Sequence, residues 1–184
     1  MDLKRFFRIQ EYASRLKRLP RNGWIFRGVD NPESIADHSY RVNLITYLLC
    51  LENPDINIEH ALKISIVHDL GESILTDIPK ETQDLLTDSV KLTAELDSLK
   101  KLAGPDDEIV LLITEYNARS TPESNLVYAA DKLEMLFQGL EYLRNGYSGV
   151  REFFKNLDYL KDLNIRGLPE IISEIELEYN NLRK

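Results

Sequence analysis

The stretch Ile64-Ser65-Ile66-Val67-His68-Asp69-Leu70-Gly71-Glu72 decides how this chain is read. An apolar helical run closes on an adjacent His and Asp, with Gly71 and Glu72 behind them, so three ionisable side chains stand where a buried helix should finish. Burying an unpaired carboxylate or imidazole costs several kcal/mol, which is much of what holds a whole domain together. Such groups are therefore paired, hydrogen-bonded or bound to metal, and the rest of the sequence must supply the partner.

Outward from that stretch, apolar residues recur at three- and four-residue intervals and nothing alternates as a strand. The pattern predicts an all-α fold, a single-domain multi-helix bundle over residues 1–184. A first amphipathic helix covers 3–17, with Leu3, Phe6, Phe7, Ile9, Tyr12, Ala13 and Leu16 inward, and Pro20 stops it. A Pro, Gly, Asn and Arg-rich loop follows over 18–34, with Trp24 and Phe26 as its candidate core anchors. Ser34 then caps a helix that runs to about Leu51, and Asn57 caps another over 58–69. Gly71 stands where a left-handed residue commonly ends a helix. Further helices are predicted over 79–86 and 89–102. Pro105 in a first helical position opens a helix to Ala118, and Thr121-Pro122-Glu123 opens the longest, closed by Gly146. Two last helices, 149–160 and 169–182, should pack on the motif-bearing part of the chain, 18–146.

With 184 residues the chain can bury a core without staples. Its lone cysteine, Cys50, excludes an internal disulfide framework and reads as a small buried hydrophobe between Leu49 and Leu51. Thirty-one carboxylates against 23 Lys and Arg leave a net charge of -8. That balance disfavours nucleic acid and acidic membrane surfaces as partners. No apolar stretch approaches the roughly 20 residues that span a bilayer. The opening Met1-Asp2-Leu3-Lys4-Arg5 lacks a signal-peptide core, and the expected location is the cytoplasm.

Two polar residues elsewhere match the anomaly at 68–72. His38 shares a helical face with Ile35, Val42 and Ile45, and Asp131 lies between Val127 and Met135 at four residues either side. His68 and Asp69 are about 100° apart around a helix, so they converge only at its end, where an ion can sit beyond the backbone. Two imidazoles and two carboxylates without a thiolate form a set that Mn, Co, Fe, Zn or Mg accepts. Glu72 follows one turn after His68. His60, beside Glu59 in a first helical turn, lacks an apolar setting and is left out of the site.

Read as His38, then His68-Asp69, then Asp131, the chain resembles the HD superfamily of metal-dependent phosphohydrolases. The segments Asn31 to Arg41, Val67 to Glu72 and Ala130 to Glu134 are similar to the branch of 5'-deoxynucleotidases and HD domain-containing protein 2. The resemblance implies one divalent ion held by His38, His68, Asp69 and Asp131, and removal of phosphate from a nucleoside 5'-monophosphate. It also implies a homodimer. Glu72 is the first choice for orienting or deprotonating the attacking water, and Asp77 the second. Trp24 can wall the sugar, and Arg27, Arg41 and Lys80 are the candidate phosphate contacts. Bacterial relatives carry an Arg-Trp pair associated with the 2'-deoxy sugar, where this chain reads Gly23-Trp24. Arg21 and Arg27 are the nearby substitutes. Two other readings stay open at this level: an HD hydrolase of a different phosphoester, such as a cyclic nucleotide or an alarmone, and a non-catalytic metal or nucleotide sensor. Glu72 and Asp77 beside the four ligands favour catalysis, because a sensor has no use for them.

Overall fold

Side-chain caps set where the helices begin. The computed structural model describes residues 2–183 apart from 84, 86 and 87, with all their side chains but those of 80, 83, 88 and 89. In chain order the helices are α1 (Leu3–Leu16), α2 (Asn22–Ile25), α3 (Ile35–Glu52), α4 (Ile58–Val67), α5 (Glu72–Leu75) and α6 (Lys80–Gln83). They continue as α7 (Asp88–Ala103), α8 (Glu108–Ala118), α9 (Pro122–Arg144), α10 (Asp158–Lys161) and α11 (Leu168–Leu182). A 3-10 helix, Ser148–Phe154, precedes α10. Ser34 opens α3 with a capping box: its hydroxyl accepts from the Asp37 amide at 3.1 Å, and the Asp37 carboxylate accepts from the Ser34 amide at 3.0 Å. Thr121 and Ser124 do the same for α9, with Pro122 in its first turn, and Asn57 caps α4 through the His60 amide. The described residues contain no strand; an isolated antiparallel bridge, Pro20 to Ser34, ties the two ends of the loop between α1 and α3. The fold is all-α. Among the described residues no helix is long and apolar enough to cross a membrane.

Helices α3, α4 and α9 meet through Val42, Ile45, Leu49, Ile64, Leu126 and Leu133, and Ile172 and Ile175 of α11 join the same buried cluster. A second cluster, with Leu16, Ile35, Leu70, Leu99 and Ile113, places α1, α7 and α8 on the other side of the α4–α5 corner. Trp24 and Val29 form a third with Tyr142 and Val150. The polar residues of interest lie where these clusters meet.

Several expectations need correction. In α1 only the second half packs: Ile9, Tyr12, Ala13 and Leu16 reach the core, whereas Leu3, Phe6 and Phe7 are exposed. Its first two turns dock through polar contacts, Arg5 to Asp107 at 2.6 Å and Arg8 to the Leu102 carbonyl at 2.5 Å. Trp24 is only 2% exposed, but Phe26 points outward at 57% and anchors nothing. Pro105 lies in a turn, because Asp107 caps α8 by accepting from the Ile109 amide at 3.0 Å. The predicted helix over 149–160 is split by Asn156, whose φ of 57° breaks the spiral. The predicted helix over 79–86 survives as α6, and the remainder includes positions outside the described residues.

Gly71 is the most informative correction. Its φ of -59° is right-handed, so no left-handed cap requires glycine there. The reason is space: a Cβ at this position would stand 2.7 Å from Cγ of Glu95 on α7. Glycine lets Glu95 of α7 close over the corner that holds His68, Asp69 and Glu72. Gly71→Ala should therefore destabilise the protein by about 1–3 kcal/mol in urea unfolding. Most of that loss should vanish when Glu95→Ala is made in the same molecule, which a double-mutant cycle will read as coupling between the two positions.

Candidate metal centre

His38, in the first turns of α3, is completely buried, and its two ring nitrogens have different neighbours. Nδ1 lies 2.5 Å from Oε2 of Glu134. Nε2 lies 3.2 Å from Oδ1 of Asp131 and 3.5 Å from Oδ2 of Asp69. His68, the residue that ends α4, is arranged alike: Nδ1 lies 2.7 Å from the Ser65 carbonyl, and Nε2 lies 3.3 Å from Oδ2 of Asp69. Both rings are tied at Nδ1 and present Nε2 to the same carboxylate oxygen, Oδ2 of Asp69.

His38 Nε2, His68 Nε2 and Asp69 Oδ2 are nonetheless buried atoms without a hydrogen-bond partner. Three such atoms crowded together would be costly unless something absent from the polypeptide satisfies them. Ligand atoms about 2.1 Å from a common ion stand roughly 3–3.4 Å from one another. The separations of 3.2, 3.3 and 3.5 Å match that spacing. His38, His68 and Asp131 also offer ligand atoms that all lie within 4.8 Å of each other. The residues therefore fit a divalent ion, with Asp69 joining the two histidines and Asp131.

The charge around them is strongly unbalanced. Burial opposes ionisation of Asp131, but the charge of Lys132 and the contact with His38 hold its carboxyl well below the usual range. Burial also opposes ionisation of Asp69, and His68, His38 and Arg21 outweigh it. For His38, burial and the charge of Arg21 oppose protonation, yet Asp131, Glu134 and Asp69 push it up to about 10. Glu72 is the exception: burial, and then the negative charge of Asp69, push its carboxyl far above the ordinary range, and its Oε2 has no hydrogen-bond partner. An acid held ready to carry a proton beside a cluster of ionised ligands is an arrangement suited to proton transfer.

These groups open on a cavity of about 740 Å³. Of the residues singled out from sequence, Trp24, His68, Asp69, Glu72, Asp77 and Asp131 line it, and His38 lies behind them. Trp24 is held rigidly: Nε1 donates to Glu33 at 2.9 Å, and Tyr142 and Phe153 meet its ring edge-on at 5.1 and 4.9 Å. Asp77 binds the backbone of α2, accepting from the Gly23 amide at 3.3 Å, while its carbonyl accepts from Asn22 at 2.7 Å. Arg27 and Arg41 do not line the cavity. Arg27 is held by Glu81 and Glu152, and Arg41 by Gln138 and Glu141 at 2.9 and 3.0 Å. The side chain of Lys80 lies outside the described residues. His60 pairs with Glu115 instead of joining the ligands.

Among the described residues the cations that do reach the cavity are Arg21, Lys91, Arg119 and Lys132, and two of them touch the acidic cluster. Arg21 lies 3.5 Å from Asp69, and Lys132 donates to Asp131 at 2.8 Å. The Tyr116 hydroxyl donates to the same Asp131 oxygen at 3.2 Å, and its ring meets His68 edge-on at 5.5 Å. Sequence reasoning offered Arg21 only as a substitute and missed Lys132, Tyr116 and Glu134. The available signal was proximity: Lys132 and Glu134 flank Asp131 within one helical turn.

The HD domain family description matches residues 13–171. A 5'-deoxynucleotidase, hdd1 of Schizosaccharomyces pombe, is 38% identical over 93% of this chain and 90% of its own length. The 5'-deoxynucleotidase HDDC2 of Danio rerio is 36% identical over 77% of this chain and 72% of its own. Among solved structures, a conserved hypothetical protein from Pyrococcus furiosus is 45% identical with a TM-score of 0.83, covering 92% of this chain and 98% of that one.

Glu33 gives the site a measurable pH signature. Burial and the negative charge of Glu134 push its carboxyl up to about 7, from an ordinary 4.5. An acid whose folded-state value is raised contributes stability that is complete below about 4.5 and is lost as the pH rises through about 7. Glu33→Gln keeps an acceptor for Trp24 and carries no charge. In metal-free protein its thermal midpoint should gain on the parent's between pH 4.5 and 7 and run parallel to it outside that window.

Proposed function

The chain belongs to the HD-domain family, and from that premise we propose that it is a metal-dependent 5'-nucleotidase, removing phosphate from (deoxy)nucleoside 5'-monophosphates. The observation that carries this reading is the convergence of His38 Nε2, His68 Nε2 and Asp69 Oδ2, unpartnered and buried, beside a cavity large enough for a nucleotide. What a divalent ion supplies at such a centre is Lewis acidity toward a water molecule and toward a phosphate oxygen. The mixed nitrogen and oxygen donors accept Mn, Co, Fe, Zn or Mg.

The chain's own residues do the rest. Glu72, protonated on the cavity wall next to Asp69, gives its proton to the departing 5'-oxygen, and the carboxylate so formed takes the proton of the attacking water, with Asp77 on the same wall as its companion. Arg21 and Lys132 turn N–H donors toward the cavity and hold the phosphate in line. The immobile Trp24 bounds the nucleoside end, and Arg21, three residues before it, takes the place of the arginine that bacterial relatives carry at Gly23.

We also propose a cytoplasmic homodimer. Tyr40, Leu44, Tyr47, Leu48 and Leu51 recur along one side of α3 and are all exposed, an apolar stripe suited to a second copy. Charged substitutions at Leu44 and Leu48 together should halve the mass read by light scattering after size exclusion. A wild-type mass of one chain would end the dimer assignment.

Protein stripped of metal should release no phosphate from deoxy- or ribonucleoside monophosphates and regain release on addition of a divalent ion. Asp69→Ala should lower kcat/KM by about 10³-fold, the equivalent of about 4 kcal/mol of transition-state stabilisation. Unchanged turnover in Asp69→Ala would rule out the metal mechanism.

A further inference from the structure

Glu134 is as deeply buried as any of the described residues, yet it is an acid in the middle of α9, the helix whose Leu133 and Leu136 belong to the main core. A leucine there would cost nothing in desolvation, so the carboxylate must repay its burial through what it touches. One oxygen, Oε2, lies 2.5 Å from Nδ1 of His38. The other, Oε1, has no hydrogen-bond partner and sits 3.5 Å from Nε of Arg41, one turn after His38 on α3. Arg41 is fixed in turn by Gln138 and Glu141, further along α9. The carboxylate is thus gripped between two successive turns of α3.

The two candidate histidine ligands differ in what stands behind them. His68 presents Nδ1 to a neutral backbone carbonyl, that of Ser65, at 2.7 Å, whereas His38 presents Nδ1 to a carboxylate. A carboxylate behind an imidazole fixes the tautomer with the proton on Nδ1, prevents the ring from turning over, and makes Nε2 the stronger donor. Glu33 comes close to the same pair, its ligand atom within 4.8 Å of those of His38 and Glu134. That trio is not a second ion site, because 2.5 Å between Nδ1 and Oε2 leaves no space for a cation bound by both.

From this geometry we infer that Glu134 is a positioning residue of the metal centre: by accepting from Nδ1 of His38 it aims Nε2 at the ion and sets how tightly the centre holds it. The inference rests on the metal-centre reading above. A single turn of α9 then supplies both a ligand, Asp131, and the group that orients a ligand carried by α3.

The test is zinc binding to metal-free protein, measured by competition with a chromophoric chelator, together with ring-nitrogen NMR of His38 in the zinc-loaded state. Glu134→Ala should weaken zinc binding about 10–100-fold and abolish the low-field Nδ1 proton signal of His38. Glu134→Gln, which keeps the volume and an acceptor but loses the charge, should fall between that variant and the parent, with the Nδ1 proton retained at higher field. It carries the test by itself if the alanine variant does not fold. At saturating zinc the KM for nucleotide should stay at the parental value in both, since neither substitution alters the cavity wall. Zinc affinity within twofold of the parent in both variants, with an unshifted His38 signal, would overturn the inference and leave the metal centre standing. A parent protein that binds no zinc would instead bring down the metal centre and this inference with it.

Discussion

The structure depends on one unfavourable placement: His38 Nε2, His68 Nε2 and Asp69 Oδ2 are shut away from water and receive no hydrogen bond from the polypeptide. Few arrangements of a protein interior are more costly, and the surrounding helices are organised around making this one tenable. Each imidazole is secured at its other nitrogen, and Asp131 is held by Lys132 and Tyr116 on its far oxygen. The outer sides of His38, His68 and Asp131 are thereby occupied, and their inner sides face the proposed ion. The packing of α3, α4 and α9 supplies the rigidity that keeps the free atoms within ion-binding distance.

Acidity is graded across the site. Asp69 and Asp131 are driven toward the ionised state by cationic neighbours, while Glu72, only three residues from Asp69, is driven toward the protonated state by burial and by Asp69 itself. Ligands need permanent charge, and a proton carrier needs a charge that changes. The cluster holds both kinds of carboxylate because cationic neighbours outweigh burial at Asp69 and Asp131 and do not at Glu72. A chain with a net charge of -8 still gathers four cations, Arg21, Lys91, Arg119 and Lys132, at the cavity that its acidic cluster lines.

Trp24 connects this chemistry to the rest of the fold. It sits in a short helix that Asp77 holds by its backbone, bonds to Glu33, and packs on Tyr142 of α9. The loop that carries it is therefore a fixed wall, although its composition suggested an irregular connection. Gly71 plays the complementary part opposite, letting Glu95 come close enough to cover the ligand-bearing corner.

The sequence by itself determined where helices begin, through caps such as Ser34, Asn57 and Thr121, which act within three residues of themselves. It also singled out the proposed ligand set, since His38 and Asp131 are conspicuous on apolar faces and His68-Asp69 at the end of one. Local pattern misjudged Leu3, Phe6 and Phe7, because a hydrophobic stripe records which face is apolar and says nothing of how far a neighbour extends along it. Only the tertiary structure decided which arginine faces the cavity, why position 71 is glycine and what stands behind His38. Arg27 meets Glu152, Arg41 meets Glu141 and His38 meets Glu134 across about a hundred residues of chain. Periodicity within a helix holds no information about partners that arrive from another helix.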